Sequence, residues 1–521
     1  MSLSKPNASA ATGTKHRVTS SPASGLCITC VDDCPGLCEV GKSALRGKEM
    51  LYPQPAGKYT AGSEKDYPVD FSHFNIQGSC VGASGIEADS DKAFFSAVDI
   101  STEIGAGESK IKMRVPFFTT ALGTTEMTRV NWEGISIATA ICGSALVCGE
   151  DVCGSDPDAE FKNGKVVKSP ELERRVKVYQ DWYEGYGTMF VQANTDDVYF
   201  GVPEYAIEKL GVESIEIKWG QGAKSIAGAA GVPTLEEALE SKRRGYIVTP
   251  DPENPAVQEA YKAGGIKGFD RHHRLVMADG EAFLKEVEKL RKIGAKYVAL
   301  KMGAYRPADL ARAVKSASEA RIDLLTVDGA GGGTGMAPWR MMNEWGIPTV
   351  YIESLLHQFL KRLDEKGEFV PSCAIAGGIC LEDQIFKALA LGTPYINAVG
   401  MSRSILAAAT SGKTQAHLIQ KKYGEGIKYR KALFQTSILA AELKTKYEAD
   451  FERIPPTAIA VYSYYDRLAV GLRQLMAGGR KFALNFLSRD DLAALTQEAA
   501  DVSGIPYIME SDREEVEKIL G

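Results

Sequence analysis

The chain has 521 residues, 44% of them hydrophobic and 25% charged, with a formal net charge of −6. That length buries a large core, in one elaborated domain or two to three ordinary ones, and excludes a peptide-sized module. The weak acidic balance and the lack of a basic stripe argue against nucleic acid or an anionic membrane as partner, and apolar runs such as "GISIATAICGSALVCG" are broken by glycines and too short to span a bilayer.

In chain order, residues 1–25 are rich in Ser, Thr and Ala without a continuous apolar segment, and read as a disordered leader of a cytoplasmic protein. Residues 26–110 hold many Gly, Pro, Asp and Ser with little periodicity, and read as an N-terminal arm. Cys27, Cys30, Cys34 and Cys38 fall in that arm, with Pro35 and Gly36 bending the chain between them. Ten cysteines in a large chain without a secretory signal do not suggest a disulfide framework. Four close thiols suit a tetrahedral metal or a cubane, so an iron-sulfur cluster is expected here, with zinc or a plain reduced-thiol segment as the alternatives.

From 111 to 412 strands alternate with helical patterns. The expected strands are 115–123, 188–194, 214–220, 246–250, 296–303, 323–331, 372–379 and 395–401, and amphipathic segments such as "GEAFLKEVEKLRKIG" lie between several of them. Eight such strands fit an α/β fold, a (β/α)8 TIM barrel, better than a doubly wound open sheet. Lys218, Gln221, Lys301, Asp328, Gly377 and Gly400 gather at the C-terminal strand ends, where barrels of this kind place their chemistry. Residues 413–521 read as a C-terminal helical extension packed on the outside.

The stretch "LLTVDGAGGGTGMAP" runs a strand into Asp328 and then Gly331, Gly332 and Gly333. Neither the dinucleotide fingerprint nor the P-loop pattern can be laid on it. "AIAGGI" and "INAVGMSR" also end in small residues, and the loops after the last two strands of a barrel often hold a phosphate. A phosphate at Gly377, Gly378, Gly400 and Met401, with a ring over the strand-six glycines near Thr120, Ala121 and Lys301, is the pattern of bound FMN. For the glycine run alone, a flexible turn remains the plain alternative.

Two motifs carry a family resemblance. "IEIKWGQGAK" (215–224) and "VDGAGGGTGMAP" (327–338) resemble motifs of the FMN-binding domain of glutamate synthase. Weaker matches run in the same order, among them Gln180 ahead of "GYG", the pair His272-His273 and Lys301 in "KMG", and together they cover roughly 110–480. The resemblance implies an FMN oxidoreductase acting on CH–NH2 donors. It would pass electrons from an iron-sulfur donor, such as a ferredoxin or a reductase subunit, to the imine of 2-oxoglutarate or a related 2-oxo acid, giving glutamate or another amino acid. Under it Lys301 supplies the cation that favours reduced flavin, Lys218, Gln221 and Lys224 grip and polarise the substrate, and Glu150 carries a proton. A homo-oligomer is left open.

The pattern departs from the family in three places. A chain starting Met1-Ser2 offers no N-terminal cysteine nucleophile and no room for an amidotransferase domain, so ammonia is expected from solution or a partner. The family's three-cysteine cluster after the eighth strand is absent, while its spacing recurs at Cys142, Cys148 and Cys153, a second candidate iron-sulfur group whose ordinary reading is small buried hydrophobes. The cysteines of the arm are additional. A flavin-dependent non-redox isomerase, or an electron-transfer or scaffold subunit of a larger complex, are the competing readings.

Overall fold

The computed structural model describes residue 44 and residues 65–108, 110–220, 229–332, 337–426, 428, 432 and 439–521. Eight parallel strands close into a barrel: β1 Phe117–Leu122, β2 Leu146–Cys148, β3 Met189–Ala193, β4 Ser214–Lys218, β5 Tyr297–Met302, β6 Leu324–Asp328, β7 Cys373–Ala376 and β8 Ile396–Met401. Nearly every residue in them is buried, because one face looks into the barrel and helices cover the other. The ring closes without an edge: Gly400 of β8 is in register with Phe118 of β1, and Lys218 of β4 with Lys301 of β5.

Alternation along the strands sorts the side chains. Phe118, Val147, Phe190, Tyr297, Leu324, Ala374 and Ala398 form an apolar cluster inside the barrel, joined by Ile104, Ile111 and Met113. These last three belong to the hairpin Thr102–Ile104 and Ile111–Met113, which closes the end where the strands begin. The opposite end, where the strands finish, is left to polar residues.

One strand differs from the sequence expectation. Ile247–Thr249, inside 246–250, is not in the barrel; it pairs antiparallel with Phe269–His272, which pairs in turn with Ala229–Val232, in a sheet inserted between β4 and β5. Only its middle residue is buried, as in a strand with one wet face. Its place is taken by β2, buried at all three residues. A strand that short, set in the small-residue stretch "GSALVCGE", carries no periodic signal.

Outside the barrel, the Pro456–Gly478 helix packs on the Glu126–Ile141 and Arg403–Tyr423 helices, the latter running through position 412 without a break. Close approach depends on small residues: a Cβ on Gly134 would collide with Thr457, and one on Gly412 would stand 2.5 Å from Ala460 Cβ. Phe74–Ile76 pairs antiparallel with Leu492–Ala494, layering early and late parts of the chain together. Among the described residues, no helix is long and apolar enough to cross a membrane.

Candidate active site at the barrel mouth

The inward alternation that buries Phe190 and Leu324 continues, toward the strand ends, into Gln192, Glu216, Lys218, Lys301, Thr326 and Asp328. All six are buried. An apolar plug therefore gives way to a dry polar layer carrying two cations. Lys218 Nζ is ion-paired with Glu150, which follows β2, and Lys301 Nζ lies 3.8 Å from Asp328 Oδ2. Buried ammonium groups are costly unless compensated, and a carboxylate stands beside each.

Beneath the lysines, Gln192 Nε2 donates to Glu216 Oε1. Burial pushes the Glu216 carboxyl above its ordinary range, while Lys301 and Lys218 pull it down. Among the described residues, Gln192 Oε1, Glu216 Oε2 and Thr326 Oγ1 have no hydrogen-bond partner. Three orphaned polar atoms in one buried layer are what a site looks like before its polar guest is in place.

The glycine loops after β6 and β7 are shaped by packing. A Cβ on Gly329 would stand 2.5 Å from Thr349 Cα, one on Gly331 would stand 3.1 Å from the Gly377 carbonyl oxygen, and one on Gly332 would run into the Asp328 carboxylate. Gly377 and Gly378 adopt φ of +121° and +82°, conformations that L side chains rarely take. Thr349 Oγ1 donates to the Gly377 carbonyl at 2.7 Å, locking the two loops back to back.

Arg403 stands where β8 turns into the Arg403–Tyr423 helix, and its Nη2 donates to the Gly331 carbonyl at 2.6 Å. Burial lowers its pKa and the Asp328 carboxylate opposes this. Ser402, just before that helix, gives it no side-chain cap, and its hydroxyl instead meets that of Thr120. Uncapped first-turn N–H groups next to a half-buried guanidinium make a cradle suited to an anion. Gly400 is required beside them, since a Cβ there would collide with Thr120.

Thr120, Ala121, Lys301, Asp328, Gly331, Gly332, Gly377, Gly378, Gly400 and Met401 all lie at the mouth ends of β1 and β5–β8, and Lys218 meets Glu150 there. Gln221, Lys224, Gly333, Cys27, Cys30, Cys34 and Cys38 lie outside the described residues. Gln180 is not at the mouth. It sits in the last turn of the Pro170–Asp181 helix, which runs back toward the strand starts, and its Nε2 donates to the Leu210 carbonyl at 3.2 Å. Cys142 ends a helix, Cys148 is in β2 and Cys153 is in the short Val152–Ser155 helix. No group of His, Cys, Asp or Glu among the described residues is arranged to hold a metal ion. Burial raises all three thiols, Cys148 to about 11; Cys148 and Cys153 pack within the apolar core and Cys142 lies half-buried against it.

Four mouth residues, Arg403, Thr349, Gln192 and Glu216, have no role in the sequence reading, although Glu216 lies within "IEIKWGQGAK" and Thr349 within "GIPT". Arg403 was within reach, as the basic residue opening the helix after the last strand, and Gln192 and Glu216 share the inward parity of their strands. Beside the mouth, Trp219 and Met302 follow the two inward lysines and face outward into a cavity of about 980 Å³, shared with Tyr305 and Trp345.

Residues 264–416 match a family described as the conserved region in glutamate synthase. The chain is 26% identical over 198 residues to the glutamate synthase large subunit-like protein YerD of Bacillus subtilis, covering 37% of this chain and 34% of that protein. It is 31% identical over 187 residues to an archaeal-type glutamate synthase [NADPH] of Thermotoga sp., covering 35% and 32%. The aligned stretch thus spans about a third of these relatives. Among solved structures, a mutant flavocytochrome b2 with pyruvate bound aligns over 82% of this chain and 78% of its own, at 14% identity and a TM-score of 0.45.

Proposed function

We propose, for a chain that carries the conserved glutamate synthase region over 264–416, that the barrel mouth binds FMN and reductively aminates a 2-oxo acid, 2-oxoglutarate first. The net reaction joins the 2-oxo acid, ammonium, two electrons and two protons to give the amino acid and water. The observation that carries this reading is the pairing, on one mouth, of an anion cradle at Arg403, Gly377 and Gly378 with two buried lysines, each beside a carboxylate.

The residues fit the cofactor. Arg403 and the start of its helix would hold the phosphate, the glycine backbone would leave room for a flat ring, and the orphaned Gln192 and Thr326 oxygens would take its polar edge. FMN, when bound, supplies the two-electron carrier that single-electron donors can load. Lys301, buried at the end of β5, would supply the positive charge that favours the reduced form of the cofactor. Lys218 would hold a substrate carboxylate or polarise its C=N bond, and Glu150, whose carboxylate accepts from that ammonium, would pass on the proton the new amine requires. Burial of both lysines keeps water from competing for these contacts. Gln221 and Lys224 are assigned to the substrate by their place in "QGAK".

Electrons are assigned to an iron-sulfur donor, with Cys27, Cys30, Cys34 and Cys38 as the cluster ligands in this chain and a ferredoxin or reductase subunit upstream. Anaerobically purified protein tests both parts. It should show flavin absorbance, release FMN on denaturation, and form glutamate from 2-oxoglutarate, ammonium and reduced methyl viologen. Protein that neither contains nor takes up FMN would overturn the reading. Iron content equal to that of a variant with serine at the four cysteines would remove the cluster.

A further inference from the structure

Immediately after Glu150 the backbone does something unusual. Asp151 has φ of 62° and ψ of 19°, the left-handed region, which non-glycine residues enter only when their surroundings override the steric cost. The surroundings are specific. Tyr246 Oη donates to Asp151 Oδ1 at 2.6 Å, Arg271 Nη2 to Oδ2 at 2.6 Å and Ser155 Oγ to Oδ2 at 2.7 Å, while the Asp151 N–H donates to Asp197 Oδ2 at 2.9 Å. Every side-chain oxygen and the amide of this one residue are engaged.

Two of these partners come from the inserted sheet. Tyr246 immediately precedes Ile247–Thr249, Arg271 lies in Phe269–His272, and Val248 is in register with Arg271. They support each other: the Arg271 guanidinium stands 4.4 Å from the Tyr246 ring centroid, and its Nη1 donates to the Gly154 carbonyl at 3.2 Å. Gly154 has no alternative, because a Cβ there would collide with the Tyr246 hydroxyl. Tyr246, Arg271 and Asp151 are all buried, so the contacts are shielded from water. Burial first, and Asp151 next, hold the Tyr246 hydroxyl protonated, which keeps it a donor.

We infer that Tyr246 and Arg271 are positioning residues, which clamp Asp151 in its left-handed turn and thereby set Glu150 against Lys218 at the barrel mouth. This rests on the reading of Glu150 as the proton carrier of that site. β2 has only three residues with which to fix the direction of the chain leaving it, and Gly149 is already pressed against Leu122 and Gly123. The orientation of Glu150 is therefore set from the far side, by a sheet that is not part of the barrel. Charge supports the same division of labour: Asp151 and Asp196 face Arg271, Arg274 and His273 behind the turn, while Glu150 contacts Lys218 at the mouth.

A rivet that merely fastened the sheet to the barrel would lower stability without engaging Glu150. Two measurements on the full-length protein separate these roles, using Arg271→Lys and Tyr246→Phe, of which the second keeps the ring and hence the packing. Amide hydrogen exchange without added substrate should be roughly tenfold faster in peptides covering 149–155, with the barrel strands unchanged. Turnover should fall by up to about a hundredfold, as for a misplaced catalytic group. In a Glu150→Gln background, either substitution should cost nothing further. Unchanged exchange at 149–155, or losses that add to that of Glu150→Gln, would overturn the clamp. If the unaltered protein has no turnover with 2-oxoglutarate, ammonium and reduced methyl viologen, the proposed function fails, and exchange alone still decides whether the clamp exists.

Discussion

Arg403 reaches across the barrel mouth from the end of β8 and donates to the carbonyl of Gly331 in the loop after β6, at 2.6 Å. One guanidinium thus ties the cradle to the glycine loop. Replacing it with alanine removes both a tether and the half-buried cation. Loss of a charged hydrogen bond is worth about 1.5–3 kcal/mol, so Arg403→Ala should weaken FMN binding by roughly ten- to a hundredfold. Titration followed by flavin fluorescence checks this, and riboflavin, which lacks the phosphate, should be affected far less.

Lys301 is the cation assigned to the reduced cofactor, so Lys301→Met should lower the flavin midpoint potential. If the charge is worth about 1.5–3 kcal/mol, the two-electron potential falls by about 30–60 mV. Spectroelectrochemistry on the loaded protein reads this directly. An unchanged potential would assign Lys301 to Asp328 alone.

Gly329 has no room for a side chain, because a Cβ would stand 2.5 Å from the backbone of Thr349. Gly329→Ala should cost roughly 1–3 kcal/mol through overpacking. Thermal unfolding of the cofactor-free protein checks it, and separates a packing defect from lost ligand binding.

His357, on the Thr349–Glu365 helix, is pushed down to about 4 from an ordinary 6.5, by burial and then by Arg489. Between these values the unfolded chain holds more protons than the folded one. Stability is therefore complete above pH 6.5 and falls as pH drops toward 4. Denaturant unfolding at a series of pH values should show this acid limb flattened in His357→Gln.

The barrel was legible because most of its strands are apolar runs bounded by glycine and separated by amphipathic helices. The exchange of Ile247–Thr249 for Leu146–Cys148 shows the limit: three residues cannot display a period, and only their three-dimensional neighbours decide which sheet they join. At the site, glycines and lysines could be read because their residue types are unusual at strand ends. Gln180 could not be excluded from the sequence, since its position depends on which way its helix runs. The role of Thr349 could not be read for another reason: its bond to Gly377 joins the start of the Thr349–Glu365 helix to the loop after β7, a relation with no local signature. Asp151 was equally hidden, because nothing in "CGEDVCG" announces a left-handed aspartate.

The pairing of Phe74–Ile76 with Leu492–Ala494 has a consequence for biosynthesis. During translation the first of these strands leaves the ribosome hundreds of residues before its partner has been made. The bridges from Ser84 to Lys481 and from Asp99 to Ala483 wait for the same late segment. Meanwhile the Phe74 strand presents unsatisfied N–H and C=O groups and an apolar ring to solvent or to chaperones. Completion of this layer thus waits for a contact of large sequence separation and carries its loop-closure cost, and a nascent chain stalled before residue 480 leaves the early strand unpaired.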